Sequence, residues 1–192
     1  MAGKRLMARD GYERTSTAAI VREAGTSESQ LMRYFGGKAG LLKAIFEENW
    51  NPLNANLQRL FDEPGDDVRQ DLNQVLHIFV TALNRDPDLA RLFLFEGRRM
   101  RGHRQEVTLS KGFMEFFQLF QALIERGQRQ GTINSALNSK AVGSGLVGAA
   151  EGMVRDRMIF EELNDRPIFS EEDLHAVFTG LLAGLQAKST PT

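Results

Sequence analysis

The segment from Ser16 to Lys38 constrains this chain most, because it places two short helices on either side of one glycine and then interrupts the pattern again. Ser16 or Thr17 can cap the first helix through its side-chain oxygen, Ile20 and Ala24 form its apolar stripe, and Gly25 supplies the left-handed residue that stops it. Ser27 caps the second helix. Leu31 and Phe35 lie one turn apart there and are expected to point inward. Glu28, Ser29, Gln30 and Arg33 are thereby pushed outward as a short polar face. A helix carried in this way offers its N-terminal turns to base edges in a major groove.

From Leu6 to about Phe46 the chain resembles the tetracycline-repressor (TetR) family of bacterial transcription regulators. Gly11-Tyr12, Thr15-Ser16, Ile20, Ala24-Gly25, Ser27, Leu31, Phe35, Lys38 and Leu41-Leu42 carry the likeness at the family's spacing. The resemblance implies an all-α fold, with an N-terminal three-helix domain built on a helix-turn-helix and a larger helical domain behind it. It also implies phosphate contacts from Thr15, Ser16, Tyr34 and Lys38, the last at a helix N-terminus where ammonium and free backbone N–H groups converge. Ser27, Glu28, Ser29, Gln30 and Arg33 complete the expected DNA-binding set. Two departures matter. Met32 stands where the family usually has an aromatic, often a tyrosine touching the DNA backbone, and Tyr34 where it commonly has histidine. Only Lys4 to Ala8 precede Arg9-Asp10-Gly11-Tyr12, so the first helix is expected to be truncated by roughly two turns relative to the family's pattern, which bears on DNA affinity.

Composition agrees with such a reading head. The net charge of the 192 residues is only -1, but the first 43 carry eight Lys/Arg against four Asp/Glu, and the rest sixteen against twenty-one. A basic head on an acidic body is the expected electrostatic footprint. The absence of cysteine excludes disulfides, thiolate zinc sites and cysteine nucleophiles. No apolar run reaches the length of a membrane span and Met1 to Arg5 lead into no signal core, so a soluble cytoplasmic protein without membrane partners is expected.

Helical periodicity continues to the end of the chain. Leu41, Leu42, Ile45 and Phe46 start a helix that Pro52 is expected to kink or restart near Asn51. Val68 to Leu83 follow the acidic cap Asp66-Asp67, Pro87 opens a further helix, and Phe113 to Ile124 stripe a long one ending near Gly131. Two more are expected over about 139–162 and 170–186, and nothing alternates at period two. The expected organisation is a DNA-binding domain over 1–46 and a ligand-binding and dimerisation domain over 47–192.

Chemistry in the second domain must come from its residues. Phe79, Phe93, Met100, Phe113, Phe116, Phe117 and Phe120 are candidates to line an apolar small-molecule cavity, with Phe95 and Met114 adding to the same load. His77, Glu96, Arg99, His103 and Gln121 are candidate orienting groups. The basic run Arg98, Arg99, Arg101, Arg104 reads first as a solvated turn. Gly145, Gly148, Ala149 and Gly152 fall on one helical stripe and Val177, Gly180, Leu181 and Gly184 on another. Glycine inside a helix costs about 0.5 to 1 kcal/mol relative to alanine, so these positions need a packing reason. The resemblance supplies one, a four-helix interface in a homodimer about a two-fold axis, with Leu146 alongside.

His77, His103 and His175 lie in separate expected helices with no acidic partner at metal-binding spacing, so neither a metal site nor a catalytic triad is expected, and no cofactor. The reading is a ligand-responsive dimeric regulator, a repressor, that binds operator DNA and is released by an apolar effector. A helical scaffold that kept the fold but lost DNA binding is the alternative, with an α-helical enzyme behind it.

Overall fold

The computed structural model describes residues 2–63, 65–96 and 111–186. Their order is α1 (Ala2–Asp10), α2 (Thr17–Ala24), α3 (Glu28–Phe35), α4 (Lys38–Asp62), α5 (Val68–Arg85), α6 (Pro87–Arg91) with a π-helical continuation over Leu92–Glu96, α7 (Lys111–Gln130), α8 (Ser139–Asn164) and α9 (Glu171–Gly184). No strand occurs among the described residues, so the all-α expectation holds.

Helix starts follow local capping chemistry. Asp86 accepts from the Leu89 N–H at 3.0 Å with Pro87 at the first helical position. Asn138 accepts from the Lys140 and Ala141 N–H groups. Ser170 and Asp173 form a reciprocal capping box. The first turn of α7 is capped from a distance: Glu47 on α4 accepts from the Lys111 N–H at 2.7 Å and the Gly112 N–H at 2.9 Å. A carboxylate there satisfies orphan donors and complements the helix dipole.

Contacts divide the chain into two compact units, Met1–Pro52 with Ala82–Glu115, and Leu53–Thr81 with Phe116–Thr192. In the first, Leu6, Met7, Tyr12, Ile20, Val21, Leu31, Leu41, Ile45 and Leu92 form one core. Beside it Trp50 stacks on Phe93, with centroids 4.8 Å apart at 15°, and meets the edge of Phe113 at 5.7 Å. Lys4 on α1 pairs with Asp86, the cap of α6. Burial pushes the Asp86 carboxyl up, but the Lys4 and Leu89 hydrogen bonds and the Lys4 charge outweigh it and hold it below the usual range.

In the second unit Val68, Leu72, Val75 and Leu76 of α5, Phe120, Leu123 and Ile124 of α7, and Leu174, Phe178 and Leu182 of α9 are buried. Asp71 is 4% exposed and pairs with Arg126 of α7.

Three expectations are corrected. α4 continues from Lys38 to Asp62 with no restart at Pro52, because proline removes a single N–H while buried Ile45, Trp50, Leu53 and Leu57 hold the helix on both sides. The inward pair of α2 is Ile20 and Val21; Ala24, the last helical residue before the Gly25 turn, is exposed. On α3 Leu31 is buried, whereas Phe35 is 40% exposed at the final turn, where Gly36 redirects the chain.

Gly112 has a specific steric reason. A Cβ at this position would overlap Trp50 Cβ, which is fixed to the α4 backbone and cannot swing away. Gly112→Ala should lower unfolding stability by about 1–3 kcal/mol, the usual cost of overpacking, as read from the denaturation midpoint.

Candidate nucleic-acid interface

Local chemistry isolates α3 from both neighbours. The Ser16 hydroxyl accepts from the Ala19 N–H at 3.1 Å and starts α2, and Gly25 at φ 63° ends it. The Ser27 hydroxyl accepts from the Gln30 N–H at 3.3 Å and starts α3, and Gly36 at φ 69° ends that helix. Both glycines lie in the left-handed region, where a Cβ is strained. With both ends closed, α3 buries Leu31 alone.

Its remaining side chains are exposed. Glu28 accepts a hydrogen bond from the Thr17 hydroxyl at 3.2 Å, which fixes the carboxylate at the start of α3. The Ser27 and Ser29 hydroxyls lie 2.9 Å apart, and the Thr26 hydroxyl donates to the Gln30 side-chain oxygen. Arg33 rests its guanidinium 5.7 Å from the Tyr34 ring centroid. Tyr34 is 69% exposed and Met32 59%. Ser16, Ser27, Glu28, Ser29, Gln30, Arg33 and Tyr34 thus all sit at or beside one exposed helix.

Thr15 and Lys38 are placed differently. Thr15 is buried, and its hydroxyl donates to Gly11 O at 2.8 Å and Leu6 O at 3.2 Å, so it is turned into the head instead of outward. Lys38 Nζ donates to Tyr12 O at 2.8 Å and Thr15 O at 2.9 Å, and lies 4.3 Å from the centre of the Tyr12 ring. These bonds anchor the start of α4 to the α1–α2 connection. An ammonium has three donors, which leaves capacity for a phosphate beyond these two.

Two other cations of the head, Arg5 and Arg9, are paired within it. Arg5 meets Glu23 at 3.0 Å, and Arg9 grips both oxygens of Asp10 at 2.8 Å. The Arg9 hydrogen bonds hold the Asp10 carboxyl below its ordinary range. Arg22 and Arg33 lie exposed on α2 and α3.

Phe93 and Phe113 gather on Trp50 in the first unit, while Phe79, Phe116 and Phe120 associate in the second, with Phe116 stacked on Phe120 at 5.8 Å. Phe117 is half-buried, and Met114 is 41% exposed. Trp50 was legible as a neighbour of Phe46 four residues earlier on α4, but helical spacing alone did not join it to Phe93. Met100, with Arg98, Arg99, Arg101, His103 and Arg104, lies outside the described residues, as do the side chains of Phe95 and Glu96.

The small-residue stripes are open. A Cβ at Gly145, Gly148, Gly180 or Gly184 would meet nothing within 4 Å, and Val177 and Leu181 are 52% and 42% exposed. Ala149 and Gly152 are half-buried, a Cβ at Gly152 lying 3.8 Å from the end of Arg155. Leu146 differs: at 4% exposure it packs within its own chain and leaves the stripe.

Comparison with known proteins agrees with this head. Residues 1–45 match the family described as bacterial regulatory proteins, tetR family. The nucleoid occlusion factor SlmA of Vibrio vulnificus is 26% identical over 176 residues, covering 88% of this chain and 86% of the relative. That of Vibrio cholerae is 27% identical over 158 residues, covering 77% and 74%. Among solved structures, the fatty acid degradation regulator FadR from Bacillus halodurans superposes with a TM-score of 0.80 at 19% identity over 95% of both chains. The regulator FadR from Bacillus subtilis in complex with stearoyl-CoA gives 0.78 at 17% identity, covering 98% of this chain and 96% of that one.

Lys38 generates a test of the head's construction. Lys38→Ala leaves the Tyr12 and Thr15 carbonyls without this donor and should lower stability by about 1–3 kcal/mol. Thermal denaturation in the absence of DNA checks this, because a lysine whose only role was phosphate contact would leave the melting temperature unchanged.

Proposed function

We propose, from the match of residues 1–45 to the family described as bacterial regulatory proteins, tetR family, that the chain is a dimeric, ligand-responsive transcription regulator acting as a repressor. Residues 1–46 bind operator DNA, and residues 47–192 bind the effector and dimerise. The observation that carries this reading is a helix capped at both ends that buries one leucine and turns every other side chain outward. A structural helix would bury a stripe. A reading helix need only be anchored, because its other faces are reserved for bases and phosphates.

In this reading Gln30 and Arg33 contact base edges, with Glu28 able to accept from a cytosine amino group. Ser16, Ser27, Ser29 and Tyr34 approach phosphates, and Lys38 contributes its charge from the α4 start. Two such helices meet successive major grooves about 34 Å apart or more. An effector that prefers another body conformation weakens DNA binding by no more than its differential affinity for the two states.

An apolar effector is supported by the aromatic side chains and by the stearoyl-CoA complex of a protein with this fold. The relatives named as nucleoid occlusion factors favour a second reading, in which DNA binding serves nucleoid occlusion. The scaffold alternative would require that α3 bind no DNA.

Electrophoretic mobility with fragments flanking the chain's own gene separates these readings. The native protein should retard a specific fragment, and a long-chain acyl-CoA should release it. Retardation indifferent to any apolar ligand supports the second reading, and no retardation the scaffold. Arg33→Ala should cost about 1–3 kcal/mol on the specific fragment and relax preference at one base position. Equal weakening on random DNA would remove Arg33 from base reading.

Dimerisation is tested on the open glycines. Gly148→Leu places a bulky side chain where the chain itself offers no obstacle, so folding should be retained while the partner's approach is blocked. The variant should elute as a monomer with native helical signal and lose operator binding. A variant that remains dimeric would move the seam elsewhere.

A further inference from the structure

The face of α9 opposite the open glycines runs Glu171, His175, Thr179, one residue per turn, and it meets a matching face of α5 bearing Asn73 and His77. The two helices are aligned there by a hydrogen bond from the Thr179 hydroxyl to Asn73 Oδ1 at 3.1 Å. One turn on, the His77 and His175 rings lie 5.6 Å apart at 41°, a tilt that is not stacking. Glu171 completes a triangle: one ligand atom from each of the three side chains lies within 4.8 Å of the others. From these positions we propose that His77, Glu171 and His175 bind a divalent cation of the zinc class and cross-link α5 to α9.

Two observations point to a cation and not merely to a polar seam. His175 Nε2 is buried without a hydrogen-bond partner and stands 3.8 Å from Glu171 Oε1, too far for a hydrogen bond. An ion held there gives His175 Nε2 a partner. The other oxygen, Glu171 Oε2, faces Arg157 of α8 at 3.9 Å, an ion pair that orients the carboxylate as outer partners of metal ligands do.

The donor set decides the metal class. Two imidazoles and a carboxylate, without thiolate, suit zinc, nickel or copper, whereas calcium and magnesium demand mostly oxygen. With bonds of about 2.0–2.2 Å, tetrahedral coordination brings donors to roughly 3.3 Å of one another. Side-chain rotation within the existing triangle covers that difference. The half-open setting, with Glu171 and His175 at 36% and 28% exposure, leaves a fourth position for water.

Glu171 stands four residues, one helical turn, before His175, which corrects the expectation that no acidic partner lies at metal-binding spacing from a histidine. What the sequence hid was His77, almost one hundred residues earlier, brought in by the packing of α5 and α9.

The experiment uses the full chain, free of any affinity tag and stripped with a chelator, titrated with ZnCl2 or CoCl2. Calorimetry should give one ion per chain, zinc should raise the melting temperature, and cobalt should develop visible absorption characteristic of tetrahedral nitrogen and oxygen ligands. His77→Ala, an exposed substitution that leaves the core intact, and Glu171→Gln should each weaken binding by at least about tenfold, since loss of an outer partner alone costs that much. Absence of saturable binding, undiminished binding by either variant, or a stoichiometry of half an ion per chain, as for an ion shared between subunits, would each overturn the site.

Discussion

The head depends on one ammonium. Lys38 Nζ lies over the Tyr12 ring and donates to the Tyr12 and Thr15 carbonyls, so a single charge joins the first turn of α4 to the connection between α1 and α2. Cation–π and hydrogen-bond terms act together there because the group is partly withdrawn from water. Thr15 completes the junction by returning its hydroxyl to Leu6 O and Gly11 O. With α1, α2 and α4 tied in this way, α3 need contribute only Leu31 to the common core. Its exposure is therefore an outcome of how its neighbours are held.

The features that were legible in the sequence are those whose cause is local. A serine before a helix and a glycine after it act over four residues, and Ser16, Gly25, Ser27 and Gly36 all behave as their chemistry dictates. Pro87 and the Ser170 box are similar. Periodicity also located α5, α7, α8 and α9 to within a turn, though not the extent of α4 beyond Pro52. It failed where a residue sits on the border of a stripe or at a helix end: Ala24 and Phe35 have the right spacing but fall where the chain leaves the core. For Thr15 and Lys38 the family resemblance implied phosphate contacts, and only tertiary placement shows which backbone carbonyls they satisfy.

Distance in sequence sets the other limit. The Glu47 contact to the first turn of α7 spans more than sixty residues, a separation that no local capping rule covers. The phenylalanines read as one stripe because helical spacing cannot say which neighbour each ring will meet. Trp50 takes Phe93 and Phe113, and Phe116 takes Phe79 and Phe120.

The final helix gathers these constraints. Leu174, Phe178 and Leu182 bury one face of α9, Glu171, His175 and Thr179 meet α5 and α8 through polar groups, and Val177, Gly180, Leu181 and Gly184 remain open. A helix with three committed faces cannot rotate about its axis without losing the polar register or the apolar burial. On the proposed reading, the open face is the dimer seam, and a cation between His77 and His175 would fix that face's orientation from the side facing α5. The open glycines add a second condition, since a face without side chains permits close helix approach but offers little to resist sliding. Polar groups elsewhere on the same helix then supply the register that glycine cannot, which is a reason for placing directional ligands opposite a smooth seam.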